Sequence, residues 1–288
     1  MEEKSQLAKR IIELELLSSK VSREIFTGNY RSTFKGRGMS FDKVREYQMG
    51  DDVKNIDWNV SARLNNTHIK IFEEERDLDF ILLLDFSSSM YYGGDRSKKD
   101  LMIELASIFV YTAMRHNDKI GALLYTDERE KYIAPGKGRK HGLHILSELL
   151  NFQSKRNSNN FSKSIRKLNA YLRKPVYVFA ISDFLDDDIN EFDLKRFKTK
   201  HDITAFSLRD PVEIKLPSFG FLHLYHAETR EKYWFNTFSK RQRTLFERDY
   251  YNNQIMAVNS LQRCGVDVVH LDTSKDYIVP LKKYFAKK

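Results

Sequence analysis

The chain has 288 residues, of which 41% are hydrophobic and 31% are charged. This composition is ordinary for a globular protein with one large domain, or with one domain and a smaller module. Its single cysteine, Cys264, excludes an internal disulfide, and no apolar run reaches the roughly 20 residues of a membrane-spanning helix. The charged N-terminus lacks the pattern of a signal peptide, so we expect a cytoplasmic protein without a transmembrane segment.

The net charge of +9 is compatible with an acidic partner protein, a nucleic acid or a membrane surface. Most of the basic residues are dispersed, apart from the run 240–243 and the C-terminal lysines. No basic motif with interleaved aromatic residues is present. A solvated basic surface therefore explains the charge better than a nucleic-acid site does.

The first 78 residues predict a small module. Residues 2–20 have the spacing of an amphipathic helix, residues 27–38 form a polar joint, and residues 69–72 read as a short strand. Between them lies a polar stretch, 44–58, that lacks helical periodicity. Either a polar network or a face for a partner would be formed by charged residues of this stretch together with Arg63, namely Arg45, Asp51, Asp52, Asp57 and Arg63. We interpret Trp58 and Trp234 as core aromatics.

From Asp79 onward, strands and helices alternate. Strands are predicted at 79–85, 120–125, 131–133, 176–181, 203–208 and 266–271, and a hairpin at 221–235. Helices are predicted at 97–116, 139–151, 161–173, 188–199 and 239–263. This alternation predicts an α/β fold over residues 79–288 with a doubly wound, mostly parallel sheet. The irregular, β-containing module of residues 1–78 would accompany it.

A polar motif follows the first of these strands. The apolar run that starts at Asp79 ends in Asp85, and Ser87 and Ser89 follow at alternate positions. Three oxygen donors at the carboxyl end of a parallel strand suit a hard cation such as Mg²⁺ or Mn²⁺. Asp183 ends a second apolar strand and would lie on the same rim. A serine-rich turn that caps the next helix is the alternative.

These residues resemble the metal-ion-dependent adhesion site of von Willebrand factor type A domains. The resemblance covers residues 79–271 and implies a Rossmann-type fold, with a divalent cation held by Asp85, Ser87, Ser89 and Asp183. It also implies a non-enzymatic module, in which the cation binds an acidic residue of a partner protein. The pattern places a threonine where this chain has Asn159, and either the carbonyl oxygen of Asn159 or the hydroxyl of Ser158 would take that role.

A second resemblance covers almost the whole chain. It rests on Gly36-Arg37-Gly38-Met39-x-Phe41, on the run from Arg45 to Arg63, and on Lys70-x-Phe72-x-Glu74-Glu75-Arg76. Arg209-Asp210-Pro211 and Leu216-Pro217-x-x-Gly220 match further along. The pattern resembles the bacterial family called domain of unknown function 58. The resemblance implies that the chain works with a MoxR-type AAA+ ATPase in the assembly or maturation of other proteins.

Two other functions remain open. A metal-dependent hydrolase, such as a phosphoesterase, could use the same carboxylate rim, but it needs a general base. The sequence offers no obvious histidine or lysine there. The chain could also bind nucleic acid through its positive net charge, and its affinity for the nucleic acid would then fall steeply with salt concentration.

Overall fold

The computed structural model describes residues 2–25, 40–73, 79–126, 130–152, 160–185, 189–225 and 232–287. Asn159 lies outside these ranges, as do the joint at 27–38 and the signature residues 36–39 and 74–76. The chain forms two compact units, one of residues 29–78 and one of residues 1–28 together with 79–288.

Ten strands and nine α-helices lie in the described ranges. The strands are β1 (Ser40–Glu46), β2 (His68–Glu73), β3 (Asp79–Asp85), β4 (Lys119–Tyr125), β5 (Glu130–Gly136), β6 (Tyr177–Ser182), β7 (Asp202–Arg209), β8 (Phe221–Tyr225), β9 (Lys232–Asn236) and β10 (Asp267–Asp272). The helices are α1 (Glu2–Ile25), α2 (Trp58–Leu64), α3 (Lys98–His116), α4 (Arg139–Asn151), α5 (Phe161–Tyr171), α6 (Glu191–Lys198), α7 (Pro211–Ile214), α8 (Lys240–Arg263) and α9 (Ile278–Phe285).

A six-stranded sheet in the order β10-β7-β6-β3-β4-β5 forms the centre of the larger unit. All neighbouring strands are parallel except β4 and β5, which are antiparallel. β3 and β4 are apolar and buried along almost their whole length, because helices cover both faces of such a sheet. The prediction of an α/β fold with a mostly parallel sheet is confirmed.

The strand order places a topological switch point between β3 and β6. From β3 the chain continues to β4 on one side, whereas β6 is followed by β7 on the other side. The two connections diverge from this point, which leaves a crevice outside the carboxyl ends of the strands. Open α/β sheets bind their ligands in such a crevice.

The helix α3 is the main support of one face of the sheet. Ser97 caps its first turn in a reciprocal capping box with Asp100, and Asn117 ends it in a left-handed conformation. Phe109 of this helix stacks on Phe179 of β6 with ring centroids 4.3 Å apart. This contact ties α3 to the sheet beneath it.

The amphipathic helix α1 belongs to the larger unit. Its Leu14, Val21 and Ile25 are buried, and the hydroxyl groups of Ser22 and Thr112 lie 2.8 Å apart inside the contact with α3. The sequence division placed this helix in a module of residues 1–78. The structure differs because the apolar stripe of α1 is buried against the helices of the α/β unit.

The smaller unit is built on the antiparallel pair β1 and β2. The Asp57 side chain accepts hydrogen bonds from the backbone N–H groups of Asn59 and Val60 and so caps α2. Arg45 donates two hydrogen bonds to the carboxylate of Asp51, at 2.7 and 2.8 Å. Arg45, Asp51 and Asp57 therefore make local polar contacts within this unit, and the alternative, a face for a partner, stays a prediction.

Two features differ from the sequence predictions. Helix α9 was not predicted, because Pro280 interrupts its helical pattern in the sequence. Proline is nevertheless tolerated in the first turn of a helix, where Pro280 lies. The indole rings of Trp58 and Trp234 are not core aromatics, since they are 69% and 72% exposed. The predicted hairpin is present as the antiparallel pair β8 and β9.

Within the described ranges, no helix combines the length and the apolar character that a bilayer crossing requires.

The packing of α1 can be tested with two leucines of the same helix. Leu14 is 2% exposed and Leu16 is 67% exposed. We expect Leu14→Ala to lower the free energy of unfolding by about 2–5 kcal/mol, because it leaves a cavity in the core. Leu16→Ala, the control, should change it by less than about 0.5 kcal/mol. Equal effects in urea-induced unfolding would contradict the placement of α1.

Candidate functional site

The predicted rim forms at the switch point, where Asp85 ends β3 and Ser182 ends β6. One carboxylate oxygen of Asp85 accepts a hydrogen bond from the backbone N–H of Ser87 at 2.7 Å. Its other oxygen accepts one from the hydroxyl of Ser182, also at 2.7 Å. The hydroxyl groups of Ser87 and Ser89 lie 3.0 Å apart. The structure therefore brings Asp85, Ser87 and Ser89 together, as the alternate spacing predicts.

The serines do not cap the turn that follows. Ser87 precedes a short 3₁₀ turn, Ser88–Tyr91, but its side chain makes no capping hydrogen bond there. The cap of α3 is instead supplied by Ser97. In the structure the motif is therefore not a helix-capping turn, which was the alternative interpretation.

Burial controls the protonation of Asp85. Its side chain is fully buried, and burial together with the nearby charge of Asp183 raises its pKa to about 6. The hydrogen bonds from Ser182 and Ser87 oppose this shift. Asp85 and Asp183 are thus close enough to repel each other.

A strained residue follows Asp183. Phe184 has a φ of 52°, in the left-handed region that a bulky residue rarely adopts. Its ring is buried and packs edge-on against Phe161 with centroids 5.3 Å apart. Its backbone N–H donates to the hydroxyl of Ser182 at 3.0 Å. This sharp turn ends β6 and leaves the Asp183 carboxylate directed toward the first turn of α3.

The structure adds a residue that sequence reasoning missed. Lys98, the first residue of α3, is fully buried, and its ammonium group donates a hydrogen bond to Asp183 at 2.6 Å. The same nitrogen lies 2.7 and 2.9 Å from the two oxygens of Glu213. All three of its donor positions therefore have a carboxylate partner. The sequence offers no obvious lysine at this rim, but the structure has one.

The charge on Lys98 is stable despite its burial. Burial disfavours the ammonium form, but the combined attraction of Asp183 and Glu213 outweighs it, so the pKa of Lys98 is raised. Lys98 is therefore a permanent cation at the rim.

Glu213 is held by a short helix after β7. Asp210 caps α7 through the N–H of Val212, Pro211 begins the helix, and the Asp210 carboxylate accepts a hydrogen bond from the Thr273 hydroxyl at 2.7 Å. The motif Arg209-Asp210-Pro211 thus has a structural role, which is to direct Glu213 inward. Burial raises the pKa of Glu213 to about 7, although Lys98 opposes the shift.

Periodicity could have identified Lys98. It shares one buried face of α3 with Leu101, Met102 and Leu105, which lie three, four and seven positions later. A lysine in the first turn also opposes the positive end of the helix dipole. A basic residue that breaks both rules is a sign of a buried ion pair. Glu213 carries no comparable signal, because its position depends on the turn after β7.

The charge balance of the rim leaves room for a further cation. The carboxylates of Asp183 and Glu213 share the Lys98 ammonium, Asp85 lies near Asp183, and the pKa values of Asp85 and Glu213 are raised. Oxygen donors of Asp85, Ser87 and Ser89 suit a hard divalent cation, so this side of the rim fits a metal. Asp183 fits less directly, since Lys98 holds it. In the described part of the chain, no group of three or more His, Cys, Asp or Glu side chains is arranged to hold a metal, so the serine hydroxyls would be essential.

Residues 43–255 match the family model described as "Protein of unknown function DUF58". The chain belongs to the DUF58 family. Three mycobacterial proteins match with the same figures, among them the uncharacterised protein Rv1480 of Mycobacterium tuberculosis, which is 24% identical over 286 residues, 98% of this chain and 90% of its own length. The uncharacterised protein YeaD of Bacillus subtilis is 31% identical over 108 residues, 37% of this chain and 25% of its own.

Two solved structures resemble this DUF58 protein. BatB, a conserved hypothetical protein from Bacteroides thetaiotaomicron, aligns over 73% of this chain and 100% of its own, at 13% identity and a TM-score of 0.48. The VWA domain of SpRpn10 aligns over 71% and 93%, at 14% identity and a TM-score of 0.39.

The importance of the buried ion cluster can be measured by removing its cation. We expect Lys98→Met to lower the free energy of unfolding by about 3–5 kcal/mol, because it leaves buried carboxylates without a counter-charge. The control is Lys167→Met, because the Lys167 side chain is 42% exposed and pairs with Glu130 at 2.6 Å. It should change stability by at most about 1 kcal/mol. Similar losses in both variants by chemical denaturation would contradict the special role of Lys98.

Glu213 should make stability depend on pH. Its pKa rises from 4.5 to about 7 on folding, so the folded chain holds the proton more tightly. The resulting stabilisation is complete below pH 4.5 and is lost as the pH rises through about 7. Glu213→Gln should reduce this loss of unfolding free energy with rising pH, which amounts to at most about 3 kcal/mol in the wild type. Denaturation midpoints measured across this pH range test the prediction. Asp249→Asn is the control, because the Asp249 side chain is exposed. An unchanged profile in Glu213→Gln would contradict the assignment.

Proposed function

We propose that this DUF58 protein is a non-enzymatic protein-interaction module whose binding site is the rim at the switch point between β3 and β6. The observation that carries the proposal is the convergence of Asp85, Ser87, Ser89 and Asp183 at that point of a von Willebrand A-like sheet. A recognition surface requires a preformed site, and this one lies at the ligand-binding edge of the fold and is lined by carboxylate and hydroxyl oxygens.

A divalent cation, Mg²⁺ or Mn²⁺, is the second part of the proposal. Asp85, Ser87 and Ser89 would hold it, with Asp183 as a further ligand and with Asn159 where the family pattern has threonine. When bound, such a cation offers a coordination position to a carboxylate of the partner. The excess of carboxylates over ammonium groups supports this part, because a cation would offset the remaining negative charge.

The partner is proposed to carry an acidic residue that reaches the rim. The half-buried Ser88 and Ser89 form its accessible side, whereas Lys98 is fully buried and out of reach of a partner's carboxylate. Family resemblance points to a MoxR-type AAA+ ATPase as this partner, in the assembly or maturation of other proteins.

The chemistry of Lys98 speaks against a hydrolase at the same rim. A general base must release its proton near neutral pH, and the two carboxylates raise the pKa of Lys98 instead. The ammonium also uses all its donors on Asp183 and Glu213. It supports binding and structure rather than proton transfer.

The proposal is tested by partner binding. We expect Asp85→Ala to weaken binding of the purified MoxR-type ATPase of the same organism at least about tenfold, since it removes the central carboxylate of the rim. Asp249→Ala is the control, because that carboxylate is exposed on α8. Calorimetry with millimolar Mg²⁺ present measures both affinities.

Circular dichroism establishes that both variants are folded before the titrations. Unchanged binding by folded Asp85→Ala would exclude the rim as the interaction site. In that case the surface of the unit formed by residues 29–78 becomes the next region to test.

A further inference from the structure

The Lys98 ammonium occupies a distinctive place at the rim. It binds Asp183, the rim carboxylate that the family pattern assigns to the cation, at 2.6 Å and without exposure to solvent. A positive charge at that place does what a metal would do for Asp183, which is to neutralise a carboxylate buried at the end of a strand. The ammonium and a divalent cation therefore satisfy the same requirement.

Glu213 gives this ammonium a second anchor. Two short contacts, 2.7 and 2.9 Å, join the Lys98 nitrogen to both oxygens of Glu213. If Asp183 turned away, Lys98 would keep these contacts and would not become an unpaired buried charge. When Asp183 changes its partner, Lys98 loses one hydrogen bond and keeps its pairing with Glu213, so the usual penalty for breaking a buried ion pair is largely avoided.

The positive charge also acts across the rim. Asp183 is close enough to Asp85 to raise the pKa of its carboxyl group, and Lys98 lies against Asp183. A divalent cation beside Asp85 would therefore lie close to an ammonium of the same sign, and the repulsion is strong where water is excluded.

We propose that the Lys98 ammonium competes with the divalent cation for the Asp183 carboxylate. Glu213 weakens this competition by drawing the ammonium away from Asp183. This inference rests on the proposed cation site. It assigns roles in metal affinity to two residues that lie outside the adhesion-site pattern. The rim then has two states, one in which Asp183 is paired with Lys98 and one in which Asp183 ligates the metal while Lys98 is paired with Glu213.

The proposal requires two substitutions to act in opposite directions. Glu213→Gln removes the second anchor, so Lys98 pairs more strongly with Asp183 and metal affinity falls. The double variant Lys98→Met with Glu213→Gln removes the competitor and its counter-charge together, so Asp183 becomes available and metal affinity rises. Lys98→Arg keeps the positive charge and should remain close to the wild type.

The test is a titration of each full-length variant with Mn²⁺, in which free Mn²⁺ is followed by electron paramagnetic resonance. We expect the dissociation constant of the double variant to be at least about tenfold lower than that of the wild type, and that of Glu213→Gln to be higher. Adding Asp85→Ala to the double variant should abolish binding, which locates the metal at the rim. If Lys98→Met with Glu213→Gln does not fold by circular dichroism, Lys98→Gln with Glu213→Gln replaces it.

Two results would overturn the competition. One is equal Mn²⁺ affinity in the wild type, Glu213→Gln and the double variant, and the other is no saturable, Asp85-dependent binding in the double variant. Failure here is distinguishable from failure of the proposed function, because partner binding is measured separately. Asp85-dependent partner binding without the expected order of Mn²⁺ affinities would retain the interaction site and reject the role of Lys98.

Discussion

A fully buried ammonium must be paired, because an unpaired charge in the protein interior costs several kcal/mol. Lys98 stands at the start of α3, where the helix dipole adds to this cost. The structure meets the requirement with carboxylates from two distant segments, Asp183 after β6 and Glu213 in α7. The sharp turn at Phe184 and the cap supplied by Asp210 both serve this convergence. The geometry of the rim therefore depends on one ion cluster.

The same cluster determines what the rim can do. Lys98 is buried and protonated, so it neither acts as a base nor meets a partner directly. Asp85 is held by hydrogen bonds from Ser87 and Ser182, and Ser88 and Ser89 form the accessible side. A rim with fixed donors and excess negative charge supports the proposed role in recognition. A divalent cation would link this buried negative charge to an acidic group on a partner.

In the unit of residues 29–78, several polar residues of the family signature have a local structural role. Arg45 and Asp51 are paired through two hydrogen bonds, and Asp57 caps α2. These polar residues stabilise a unit with few long secondary-structure elements. The exposed Trp58 and Met49, by contrast, have no such structural explanation and lie on the surface of this unit.

The sequence by itself determined the α/β alternation, the mostly parallel sheet and the positions of Asp85, Ser87 and Ser89. Each follows from local pattern, since apolar runs make buried strands and strand ends carry the polar residues. Only the tertiary structure decided that α1 packs on the α/β unit and that Lys98, Asp183 and Glu213 meet. Lys98 and Glu213 are 115 residues apart. Their contact depends on strand order and on the turns after β6 and β7, and no local periodicity encodes these.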